Sequence, residues 1–361
     1  MPHHGETNDN PNMMNFPKHD DDWYRTRLAP PQGHGCRPRV VIDADAANEI
    51  DDQFALAWAL LSPLQLDVLA VYAAPFSFAH RRAALPLAPA DAPPFNPPAV
   101  GMQRSFDEII SVYDKLGLPS AGRVWRGSAG YLPSRTEPLQ SDAVDHLIAT
   151  ARSSPPQQPL YVLALGCVTN IASALLLAPD IVDHIVVVWT SGFPSYAPHA
   201  NNSFNLEQDL PASQWLLDSG VPHVYLPGYH VGAQLRLSLP EVERYVQGCG
   251  PIGNYLHHLF THNPLWPLLG TDGSKPHSWV IWDVINIAWM LNPEWVPSDL
   301  VRTPRLDSER RWQPDPTRHL MREAYGVQRD AIFNDLFGKL DLQGDKNSNP
   351  AFSQTPHKSR A

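Results

Sequence analysis

Four aspartates, Asp43, Asp45, Asp51 and Asp52, fall within ten residues. The apolar run Arg39-Val40-Val41-Ile42 leads into them and an Ala/Leu-rich helical pattern leads out. A strand, a turn and a helix in that order would gather all four carboxylates at the carboxyl end of the strand. Like charges held that closely repel unless protons or a cation compensate, and a hard divalent ion with oxygen ligands suits such a group. An aspartate at a helix start is an ordinary cap. Four of them, two on the strand side, exceed what capping needs and point to a metal or catalytic site.

The elements that must position these acids are legible in the apolar pattern. Strands are expected at Val40–Asp43, Leu66–Ala73, Leu160–Leu165, Ile181–Trp189 and Val224–Leu226. Helices are expected at Asp51–Leu61, Ser105–Leu116, Asp142–Ala151, Asn170–Leu177, Pro211–Ser219 and Trp282–Leu291. Strand–helix alternation with short turns is the signature of an α/β domain with a mostly parallel central sheet flanked by helices. Such open sheets bind ligands at the carboxyl ends of their strands. Thr169, Asn170, Asn201, Asn202, Asn205, Asp209 and Asp283 are all expected to follow strands, the same kind of place as the aspartates. Each alone also suits a cap or a turn.

The chain has 361 residues, 43% of them hydrophobic, enough for a sizeable core. One domain over residues 36–341 is expected, with an Ala/Pro-rich surface insertion at about 84–98. Residues 1–35 and 342–361 read as disordered ends. The net charge of −10 argues against nucleic acid or an anionic membrane as partner. No apolar run is long enough to span a bilayer and no signal peptide is evident. The three cysteines are widely spaced and read as reduced thiols of a cytoplasmic protein. A Gly-rich phosphate loop, a Gly-x-Ser-x-Gly elbow, a His-Glu-x-x-His and a Cys-x-x-Cys are all missing.

Asp43-x-Asp45 followed by Asp51-Asp52 resembles the Asp-x-Asp-Pro-Gly-x-Asp-Asp signature of the inosine/uridine-preferring nucleoside hydrolases. Leu165-Gly-Cys-Val-Thr-Asn-Ile-Ala172 resembles that family's Leu-Gly-Pro-Leu-Thr-Asn-Ile-Ala segment, and Ser203-Phe-Asn205 its Ala-Glu-Phe-Asn segment. Trp282-Asp283 falls where the family carries a His-Asp pair. The resemblance implies a Ca2+-dependent enzyme that cleaves the N-glycosidic bond of a small-molecule nucleoside or N-riboside to free base and ribose. It implies that Asp45 binds calcium and takes a proton from the attacking water. Asp52, the Thr169 backbone carbonyl and the Asp283 carboxylate would complete the protein ligands. Asp51 would accept from a ribose hydroxyl and Asn205 would contact the sugar. A homo-oligomer is implied in the same way.

The chain departs from the family pattern at several positions. The loop Ala46–Ile50 is two residues longer than usual, so Asn48 or Glu49 can enter the site. Ser203 replaces a glutamate that accepts from a sugar hydroxyl, and the asparagine usual after the second strand is absent from Ala73–Ser77. Trp282 replaces the histidine often used to protonate the leaving base, leaving an aromatic ring for stacking and His277, His230 or His199 as acids from other positions. Two readings compete with the hydrolase. One is a non-hydrolytic member of the same fold that binds a ribosyl ligand or a protein partner. The other is a magnesium-dependent phosphatase with Asp43 as nucleophile.

Overall fold

A computed structural model of the protein describes residues 19–31, 37–86, 88–89, 92–155, 157–269 and 277–344. Eight strands form one sheet in the order β3-β2-β1-β4-β5-β6-β12-β9. In chain order they are β1 (Arg39–Ala44), β2 (Asp67–Ala73), β3 (Val124–Arg126), β4 (Leu160–Ala164), β5 (Ile185–Ser191), β6 (His223–Pro227), β9 (Ser298–Arg302) and β12 (Leu320–Ala324). Two small ribbons, β7 (Arg236–Ser238) with β8 (Ser278–Val280) and β10 (Arg305–Leu306) with β11 (Trp312–Gln313), lie outside it. Every pairing in the main sheet is parallel except that of β9 with β12.

Residues 40–44 of β1 are all buried, as a parallel strand covered on both faces must be. Val40 and Ile42 pack into one core layer with the helices Asp51–Leu60, Val284–Leu291 and Arg329–Asp341. Val41 packs into the other, with the helices Asp142–Arg152, Thr169–Leu177 and Leu210–Asp218. This is a single α/β domain, as the alternation in the sequence implied. The strand order reverses between β1 and β4, and an open sheet leaves a crevice for ligands at that point.

Most expected elements form within a few residues of the bounds read from the sequence. The strand expected from Ile181 begins at Ile185, because Pro179–Asp183 winds into a 3-10 turn first. The expected helix from Trp282 begins at Val284, which leaves Trp282 and Asp283 in the turn before it.

Two irregular segments proved more ordered than expected. Within residues 1–35, Asp21–Arg27 is a helix capped by Asp20, whose side chain accepts from the Trp23 amide at 2.9 Å. Tyr24 and Leu28 bury against the core, and the Tyr24 hydroxyl donates to the Gly220 carbonyl at 2.6 Å. Two apolar residues one helical turn apart suffice to dock this short helix on the domain. In the Ala/Pro stretch, Ala88, Ala92 and Pro94 are buried, and the two alanines pack with Phe76, Phe78, Phe204 and Leu265. These three residues anchor a stretch in which Ala84, Pro86, Pro89, Pro93 and Pro97 remain exposed. Residues 1–18, 32–36 and 345–361 lie outside the described residues, so the expectation of disorder there is neither met nor contradicted. Among the described residues no helix is long and apolar enough to cross a membrane.

Candidate active site at the carboxyl ends of β1 and β4

The crevice at the β1/β4 reversal is a cleft of about 580 Å3, its open mouth included. Asp45, Asn48, Glu49, Asp51, Asp52, Asn205, Trp282 and Asp283 all line it. Asp45 leaves the end of β1, and Asp51 and Asp52 open the helix Asp51–Leu60, where the positive end of the helix dipole favours carboxylates. Asp283 comes from the turn before the helix Val284–Leu291. Asn286, on the first turn of that helix, donates to the Ala164 carbonyl at 3.1 Å and the Val188 carbonyl at 2.9 Å. Those two bonds lock the helix that carries Asp283 onto the ends of β4 and β5.

Carboxylate oxygens of Asp51, Asp52 and Asp283 lie within 4.8 Å of one another, and all three residues are buried. Burial, then the charges of Asp51, Asp52, Asp45 and Glu49, raises the Asp283 carboxyl well above the ordinary range. Asp52 is raised in the same way, by burial and then by Asp45 and Asp51. Burial pushes Asp45 and Asp51 up to about 7 and Glu49 to about 8. One oxygen of Asp52 and the side-chain carbonyl of Asn48 are buried with no hydrogen-bond partner. Orphaned buried oxygens and mutually repelling acids fit a hard cation with oxygen ligands.

The lengthened loop does close on the cleft. The Asn48 amide donates to the Asp45 carboxylate at 3.0 Å, and Glu49 accepts from the Trp279 indole at 3.2 Å. Gly166, just past β4, lets Asp45 sit where it does: a Cβ there would lie 2.9 Å from the Asp45 carboxylate.

Other expected residues lie elsewhere. Thr169 does not line the cleft: it begins the helix Thr169–Leu177, and its hydroxyl donates to Asp209 at 2.5 Å. Leu165 lines the cleft in its place, and its carbonyl accepts from the Asn205 amide at 2.5 Å. Asp209 caps the helix Leu210–Asp218, and Asn201 bridges Phe193 and Arg310. Asp43 is fully buried behind the cleft and accepts from Asn170 at 2.8 Å, which counts against a nucleophile at that position. Among the described residues no histidine lines the cleft. His277 stacks on Phe260 with ring centroids 5.1 Å apart, and His230 packs edge-on against Phe193. Neither is placed to protonate a leaving group.

The sequence reading missed Arg81, Tyr229 and the Ser191–Gly192 turn, all of which line the cleft. Tyr229 stands edge-on to Trp282, with ring centroids 6.1 Å apart. The two rings give the cleft an apolar part.

A family model described as inosine-uridine preferring nucleoside hydrolase matches residues 40–332. The non-specific ribonucleoside hydrolase RihC of Salmonella agona is 26% identical over 264 residues, covering 71% of this chain and 79% of that protein. Among solved structures, a plant nucleoside hydrolase, PpNRh1, aligns with a TM-score of 0.61 at 17% identity, covering 85% of this chain and 99% of that one. The purine-preferring ribonucleoside hydrolase from Gardnerella vaginalis aligns with a TM-score of 0.62 at 18% identity, covering 84% and 98%.

Proposed function

Because the chain belongs to the inosine-uridine preferring nucleoside hydrolase family, we propose that it cleaves the N-glycosidic bond of a riboside in this cleft and depends on calcium to do so. The observation that carries the reading is the convergence of Asp51, Asp52 and Asp283 within 4.8 Å beside Asp45, at the point where the strand order reverses. Asp45, Asp52, Asp283 and the Leu165 carbonyl would hold the ion, and Leu165 replaces Thr169 in that set because only Leu165 lines the cleft. Calcium, when bound, supplies the charge that keeps these acids ionised together and lowers the pKa of a water beside it.

The remaining chemistry belongs to the chain. The reaction breaks the bond between C1′ and the base nitrogen and forms a bond from C1′ to a water oxygen. Asp45, oriented by Asn48, takes a proton from that water. Such general-base assistance is worth about 10²–10⁴ in rate. Asp51 accepts from a ribose hydroxyl, and the Asn205 side chain, fixed on the Leu165 carbonyl, meets the sugar. Positive charge builds on the sugar ring in the transition state, and the buried carboxylates stabilise it. The leaving base lies against Tyr229 and Trp282, where stacking holds it while solvent supplies its proton.

A cytoplasmic location is part of the same reading, supported by the wide spacing of the three cysteines and by the buried free thiol of Cys167. The non-hydrolytic reading draws on one observation, the lack of a histidine on the cleft wall. Chromatography of a ribonucleoside incubated with the calcium-loaded protein separates the two. Free base and sugar are expected, and an unchanged nucleoside across purine, pyrimidine and 5′-phosphorylated substrates would favour the binding protein.

A further inference from the structure

The cleft is not acidic throughout. Arg81, Ser191, Gly192 and Ser203 also line it. Arg81 comes from the short 3-10 turn Ala79–Ala84, just after the stretch Ala73–Ser77 where the family's asparagine is missing. Ser203 stands where the family carries a glutamate. One negative group has thus been lost from this wall and one positive group has been brought to it.

Arg81 is held firmly. Its Nε donates to Glu207 at 2.5 Å, one terminal nitrogen donates to the Asn202 carbonyl at 2.6 Å, and its guanidinium lies 5.2 Å from the centre of the Phe204 ring. Phe204 stacks on Phe78 at 4.3 Å, within the apolar cluster that Ala88 and Ala92 complete. The packing of the Ala/Pro segment therefore fixes the position of this arginine.

Glu207 does not use up the charge of Arg81. The same carboxylate also accepts from Arg310 and from His80, the latter at 3.1 Å. Although burial opposes it, those donors hold Glu207 below the usual carboxylate range. Two guanidinium groups face that one carboxylate, and the charge of Arg81 also reaches Glu49 on the cleft wall. A guanidinium has five N–H donors, and Arg81 commits two of them to the bonds above.

The hydroxyls beside it are donors too. Ser191 and Ser203 hydroxyls lie 2.8 Å apart, and the Ser203 oxygen also accepts the Gly192 amide at 2.9 Å. Only one hydrogen is needed between the two oxygens, so the other hydroxyl has its hydrogen free for the cleft.

We infer that this wall is an anion subsite, and that the preferred substrate is a riboside carrying a 5′-phosphate. The inference rests on the hydrolase reading for the orientation of the sugar. The cation and the acids take the adjacent 2′- and 3′-hydroxyls, and the base on C1′ lies against Tyr229 and Trp282. The C5′ substituent is the one left to meet Arg81 and the serine pair. A bare hydroxyl there meets a surplus of N–H and O–H donors, whereas a phosphate offers the acceptor oxygens and negative charge that suit a guanidinium.

The test is calorimetric titration of the calcium-loaded full chain with ribose 5-phosphate and with ribose, in the wild type, Arg81→Ala and Arg81→Met. The methionine variant keeps an apolar stem over Phe204 should the alanine variant not fold. The phosphorylated sugar should bind about ten- to a hundred-fold more tightly than ribose in the wild type, in line with hydrogen bonds to a charged group. That ratio should collapse to within about threefold in either variant. Equal binding of the two sugars by the wild type overturns the inference, and so does a ratio that survives loss of Arg81, since the phosphate would then sit on the cation. Release of base from nucleosides and their 5′-monophosphates is read in parallel. Cleavage of nucleosides without any phosphate preference in binding removes the subsite and leaves the hydrolase. A phosphate preference without cleavage of any substrate removes the hydrolase and leaves the subsite.

Discussion

The Asn48 side-chain amide donates to the Asp45 carboxylate across 3.0 Å, within the loop that is two residues longer than the family pattern. The added length therefore places a new polar side chain against the proposed general base. Asp45→Asn should lower kcat by about 10²–10⁴. Asn48→Ala should lower it by about tenfold with little change in KM, because it frees the rotamer of Asp45 without removing the base. A steady-state comparison of the two variants checks this ordering. A larger loss for Asn48→Ala than for Asp45→Asn would contradict it.

Removal of the cation should make stability fall as pH rises. Burial holds Asp45 and Asp51 at about 7 in the fold, against about 3.9 in an unfolded chain. Folded groups with raised pKa bind more protons than the unfolded chain between those values, so stability is full below about pH 4 and is lost as pH rises through 7. The melting temperature of calcium-stripped protein should drop between pH 5 and pH 8, and added calcium should remove most of that slope. A calcium-stripped protein that melts higher at pH 8 than at pH 5, by the same margin as the calcium-loaded one, would be evidence against a cation among these acids.

Asp43 separates the hydrolase from a phosphatase. Its carboxylate accepts from Asn170 and does not reach the cleft. Asp43→Asn keeps an acceptor for Asn170 and removes a buried acid that burial has pushed up to about 7. Melting should change by no more than the equivalent of about 1 kcal/mol, and turnover should stay within about threefold. Loss of turnover in a variant that melts normally would restore the aspartyl nucleophile.

His223 sets a second, opposite pH response. It is fully buried beside Trp189 and Tyr225, neither ring nitrogen has a partner, and burial drives it down to about 3. The unfolded chain takes up that proton near pH 6.5, so this group withdraws stability as pH falls from 6.5 towards 3. His223→Leu should remove that loss and raise stability at pH 5 by about 1 kcal/mol or more. Denaturant melts of the wild type and the variant at pH 5 and pH 7.5 measure it. Equal acid sensitivity in both would rule His223 out as its source.

The aspartate cluster was legible because four acids in ten residues between an apolar run and a helical pattern leave few arrangements other than a strand–turn–helix site. The alternation of elements gave the parallel sheet for the same reason, since hydrophobic periodicity is a local property. Leu165 was not legible as a site residue, because a backbone carbonyl leaves no trace in residue type. The resemblance pointed to the backbone carbonyl of Thr169, four residues further on, which begins a helix and does not line the cleft. Arg81 lies just before the Ala/Pro stretch in a run with no periodicity, and its bonds to Glu207 and the Asn202 carbonyl, with Phe204 beneath it, hold it at the cleft. The helix Asp21–Arg27 was hidden by its charges, since its apolar anchorage is little more than Tyr24 and Leu28, and the partners of Asp21 and Arg27 are far away in sequence.

The most direct measurement is reducing-sugar release from a panel of ribonucleosides and their 5′-monophosphates by calcium-stripped protein, before and after calcium is restored. The account predicts no release above background from the stripped protein and recovery of turnover on addition of about one equivalent of calcium. Full turnover by the stripped protein, or no release from any substrate once calcium is restored, would contradict it.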